Sequence, residues 1–126
     1  MYQAFGLLKP ESDFTLAEAA KRLAERFSDY SVVHDNKRIM LSSKDWEMQL
    51  ALVEGPHVLQ ESRDIEEKIG GDDDKLGITA CDRRVEVYSD MPDPNMDHFN
   101  DYLIVVEVLQ TFGGLIAIDP QEPSVL

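Results

Sequence analysis

Asp90, Asp93, Asp97, His98 and Asp101 form the densest run of chemistry-bearing side chains in the chain, with Asp119 further on. Carboxylates beside an imidazole can hold a hard divalent cation or work as general acid and base. Asp97 and Asp101 are four residues apart, so a helix puts them on one face. The run lacks the fixed ligand spacing and central glycine of an EF-hand calcium loop. Acids at the start of a helix are also favoured by the helix dipole alone. The primary expectation is therefore a negatively charged binding surface, with no cofactor. A metal-dependent enzyme using Asp93, Asp97, His98 and Asp101 is the alternative.

No other motif carries a reaction. His34, His57 and His98 fall in separate elements without metal-ligand spacing, and no nucleophile elbow, P-loop or dinucleotide fingerprint occurs. Cys81 is the only cysteine, which excludes an internal disulfide and a cysteine-based zinc site. Arg83 and Arg84 beside it could lower its pKa and make it reactive, but a structural, half-buried thiol is expected. Trp46 is expected in the core, and Asp72 to Asp74 in a solvated loop that can attract a basic partner.

Charge narrows the partners. The 126 residues carry 12 Lys and Arg against 25 Asp and Glu, a net charge of −13. Every basic residue lies at or before Arg84, so the last third is one-signed and acidic. Such a surface repels nucleic acid and anionic membrane and suits a cationic protein. No apolar run approaches the roughly 20 residues of a membrane helix. The first residues lack the basic start and long apolar core of a signal peptide, so a cytoplasmic location is expected.

The elements that must position the acids can be taken in order. Tyr2 to Leu8 is a β-prone run, and Thr15 and Glu18 have capping-box spacing at the start of a helix over Leu16 to Phe27. Tyr30 to His34 and Arg38 to Ser42 flank a tight turn, and Trp46 to Leu52 alternate as a strand, completing a meander. An amphipathic helix follows, with Val58, Ile65 and Ile69 on one face and Gly70-Gly71 as its stop. Leu76 to Ala80 and Arg84 to Tyr88 read as a second strand pair turning at Cys81-Asp82-Arg83. Asp97 to Phe112 reads as a helix almost apolar all round, with Phe99, Leu103, Val106 and Leu109 on one face and Tyr102, Val105 and Phe112 flanking it. Gly113-Gly114 ends it, and Leu115 to Ile118 is a last strand. The order β-α-β-β-β-α-β-β-α-β predicts one α+β domain, residues 1–126, with a mostly antiparallel sheet and three helices.

Two resemblances follow from these residues. The ending FGGLIAIDPQE, with CDRRVEVYSDMPDPNMDHFNDYLIVVEVLQ before it, resembles a C-terminal signature of small acidic bacterial proteins of largely unassigned role. Some of those are immunity-type proteins. The core order α-β-β-β-α-β-β-α also resembles that of type III secretion chaperones, although the first and last strands are extra to that pattern. The first resemblance implies an inhibitor or partner of a basic protein. The second implies a homodimer that binds an extended segment. Neither carries a catalytic residue over.

Overall fold

A computed structural model of the chain describes residues 2–69, 74 and 76–126. Strand β1 spans Tyr2–Leu8 and helix α1 Leu16–Arg26; strands β2, β3 and β4 span Ser31–His34, Arg38–Ser42 and Glu47–Glu54. Helix α2 covers Pro56–Ile69, and a 3-10 turn over Ile78–Ala80 leads into β5 at Arg83–Ser89. Helix α3 covers Phe99–Leu109 and is followed by β6, Leu115–Asp119, and β7, Ser124–Val125. The strands make one antiparallel sheet in the order β2-β3-β4-β5-β1-β6-β7. The α+β class, the three helices and the N-terminal meander are as the sequence predicts.

Helices cover both faces of the sheet. Because side chains alternate along a strand, β1 sends Ala4 and Leu8 to one face and Phe5 and Leu7 to the other. The first face packs Ile39, Leu41, Met48, Leu50, Val85 and Val87 against α1 and α3. The opposite face joins Leu7, Ile116 and Ile118 to Ile78 and Cys81, with Ile65 and Ile69 of α2 against them. Arg84 also lies on that face, paired with Glu61 and Glu86 and placed 4.6 Å over the Phe5 ring. Its charge is thus buried only in company, as a desolvated guanidinium must be. Helix α1 begins where Thr15 Oγ1 accepts the Glu18 amide at 3.1 Å. The Glu18 carboxylate does not reach back; it accepts from Arg22 one turn on.

Three local expectations need correction. Leu76 to Ala80 is not a strand. Asp74 accepts the amides of Ile78 and Thr79, each at 2.8 Å, and the Thr79 hydroxyl, so its carboxylate winds the chain into the 3-10 turn. No second hairpin forms, and β5 pairs instead with β4 and β1. The buried side of α3 is also shifted toward the expected flank, Tyr102 and Val105, and away from Leu103. Tyr102, Val105, Val106, Val108 and Leu109 are buried, whereas Leu103 is 39% exposed. A helix apolar around most of its circumference has little intrinsic asymmetry, so its packing partners choose the buried side. The short β7 was not foreseen. Gly70, Gly71, Asp72 and Asp73, expected as helix stop and loop, lie outside the described residues.

Candidate functional site

The acidic approach to α3 is held by aromatic side chains from distant parts of the chain. Asp93 accepts the Asp97 and His98 amides at 3.0 Å each and the Tyr2 hydroxyl at 2.5 Å. This fixes the loop to the first strand. Met96 adopts φ 58° within it, a left-handed conformation that a non-glycine residue keeps only when its surroundings hold it. Asp101, in the first turn of α3, accepts the Tyr30 hydroxyl at 2.7 Å, and His98 Nδ1 lies 3.3 Å from that hydroxyl and 3.5 Å from Asp101. The His98 ring stacks flat on Trp46, with centroids 4.7 Å apart and planes 2° from parallel. Tyr2 stacks on Tyr102 and meets Trp46 edge-on. Trp46 is 2% exposed, and among the described residues its indole nitrogen has no hydrogen-bond partner.

These contacts decide what the acids can do. Desolvation works against ionised Asp93, but the Tyr2 hydroxyl and the His98 and Asp97 amides outweigh it and hold the carboxyl below the usual carboxylate range. Burial, and then the bond to Asp93, pushes the Tyr2 phenol up to about 12. Burial followed by the bond to Asp101 raises Tyr30 as well. Both phenols therefore stay protonated donors at neutral pH. Asp93 and Asp101 spend their oxygens inside the protein and fasten the loop. Asp90 and Asp97 stand exposed, and among the described residues neither has a basic partner. Among the described residues no three His, Cys, Asp or Glu side chains group as a metal site.

The five candidates thus divide into two internal ties, two free surface charges and one stacked imidazole. Tyr2, Tyr30 and Trp46, which organise the cluster, had no sequence signal tying them to it, because each lies more than 50 residues from the partner it touches there. Cys81 is fully buried against the second core cluster, and burial pushes its thiol up to about 12, opposite to a reactive thiolate.

Two of the depressions outside the cluster have mostly apolar walls. One, of about 450 Å3, runs between the start of α1 and the β2–β3 turn, with Phe14, Leu52, His34 and Arg83 in its walls. The other, of about 270 Å3, lies along α3, where Tyr102, Leu103, Val106, Glu107 and Gln110 face Leu126. No protein-family model matches this chain, and no curated protein or solved structure matches it.

Proposed function

We propose that this domain is a non-enzymatic, acidic protein-binding module that acts as the partner of a basic protein, in the manner of an immunity-type inhibitor. One observation carries the reading: Asp90 and Asp97 are exposed and, among the described residues, have no basic partner, in a third of the chain that has no Lys or Arg of its own. Unpaired like charges on a rigid support speed the encounter with an oppositely charged surface and select against acidic partners. Asp93 and Asp101 supply the support, and Asp90 and Asp97 meet the partner. Affinity capture from the native cell should recover a basic protein, and its affinity should fall steeply between about 50 and 300 mM salt. Recovery of no protein, or binding indifferent to salt, overturns the proposal.

A second reading has its own observation. Strand β2 ends the sheet, so its outer backbone edge has no strand beside it, and Val33 on it is exposed. Such an edge accepts another strand, which supports a chaperone-like homodimer that binds an extended segment. Light scattering that finds a monomer at all concentrations removes it.

A further inference from the structure

We propose that the groove between α3 and the C-terminal strand docks large apolar side chains of a basic partner, with Lys or Arg on either side of them. The inference rests on the binding role above and assigns it a surface. Six large hydrophobic residues are exposed among the described residues, and two of them, Leu103 and Leu126, line this groove. Asn100, Leu103, Glu107 and Gln110 follow one another at helical spacing, so they form a single exposed stripe along α3 and its C-terminal cap.

Strand register places the other bank. Leu126 donates its amide to Ala117, which belongs to the core cluster beneath α3, so Leu126 faces the helix. Gln110 donates to the Leu126 carbonyl at 3.3 Å and closes one end of the groove. The lining is apolar apart from Glu107 and Gln110. Its volume of about 270 Å3 is at the lower edge of small-molecule pockets, and it is open along its length. That shape accepts side chains from a chain laid across it better than an enclosed ligand.

Charge selects the occupant. Every charged side chain on α3, β6, β7 and the turns joining them is acidic: Asp101, Glu107, Asp119 and Glu122. Among the described residues Glu107 is matched by Arg26 alone, which reaches across from α1 in an exposed pair. Asp119 lies close enough to Tyr102 in the groove wall to raise its phenol pKa, after burial. A second copy of this chain would bring the same acids against these, and like-charge contact disfavours it. A segment with leucine-like side chains bracketed by lysine satisfies both the apolar floor and the acidic rim.

The test uses the intact domain and two synthetic peptides, measured by fluorescence anisotropy. One carries paired Leu residues bracketed by Lys, and the other has Ser in place of Leu at the same charge. The Leu peptide should bind at least about tenfold more tightly. Leu103→Asp should weaken it at least about tenfold, and Leu103→Met should restore it. Adding a negative charge would strengthen a purely electrostatic complex, so the sign of the Leu103→Asp effect separates the two mechanisms. Leu76→Asp, which adds the same charge at an exposed residue in the turn before Ile78, should change nothing. Equal affinity of the two peptides, or tighter binding by Leu103→Asp, overturns the groove while leaving the basic-partner role standing. Failure of both peptides to bind, even at low salt, overturns the two together.

Discussion

Leu103 and Leu109 are the same residue type on the same helix, and truncating each to alanine gives a sharp test of how α3 is seated. Leu109 is 1% exposed within the core cluster, whereas Leu103 is 39% exposed on the solvent stripe. Removing the buried side-chain carbons of Leu109 costs about 2–2.5 kcal/mol of transfer free energy, at about 0.8 per methylene. The cavity left behind brings the loss to about 3–4 kcal/mol. At Leu103 roughly three-fifths of the same transfer term is at stake and water fills the gap, so the loss is about 0.5–1.5 kcal/mol. For a chain of 126 residues, about 4 °C of melting temperature accompanies each kcal/mol. Leu109→Ala should therefore lower the melting temperature by about 12–16 °C and Leu103→Ala by about 2–6 °C. Urea unfolding followed through the buried Trp46 gives the free energies directly, provided the denaturant slope is unchanged. Equal losses at the two sites, or the larger loss at Leu103, would refute the seating of α3 described above.

Other consequences follow from single contacts. Gly114 has φ +70°, and a Cβ there would lie 2.9 Å from the Ser12 Cα, whereas a Cβ on Gly113 meets nothing closer than 3.7 Å. Gly114→Ala should cost about 2–4 kcal/mol in urea titration, and Gly113→Ala under about 0.5. Cys81 should react with a thiol reagent at least about a hundredfold more slowly in the folded domain than in the urea-unfolded chain, because burial disfavours its thiolate. The lowered folded pKa of Asp93 stabilises the fold above the unfolded carboxylate value of about 3.9, and that contribution is lost as pH falls through the folded value. Asp93→Asn should thus have a lower urea midpoint than the parent protein at neutral pH. The gap should close below about pH 4, and a gap that widens on acidification contradicts the assignment.

Local sequence patterns revealed the elements that local chemistry controls. Thr15 caps α1 as its spacing to Glu18 predicts, and the Asp35 turn joins β2 to β3, with the Asp35 carboxylate accepting the Lys37 and Arg38 amides. Alternation along Trp46 to Leu52 likewise marked the inward residues Met48 and Leu50. The failures arose where one particular side-chain partner, near or far along the chain, decides. Leu76 to Ala80 has strand-forming residues, yet the Asp74 carboxylate holds them in a turn. The buried side of α3 depends on Tyr2 stacking against Tyr102 from the far end of the chain. The acidic cluster was visible as composition, but its division into Asp93 and Asp101 as ties and Asp90 and Asp97 as free charges depends on Tyr2 and Tyr30. The ion-paired place that Arg84 and Glu86 on β5 form with Glu61 of α2 was not anticipated, because Glu61 lies 23 residues from Arg84 and gave no local sign.

The binding role stands or falls with the two free carboxylates. Calorimetry of the captured basic partner against the double variant Asp90→Lys and Asp97→Lys, beside the parent domain at about 50 mM salt, measures their part in the complex. Affinity at least about tenfold weaker, with the difference shrinking as salt is added, is the result this account requires. Unchanged affinity for a partner of verified basic charge, with the variant still folded, contradicts it.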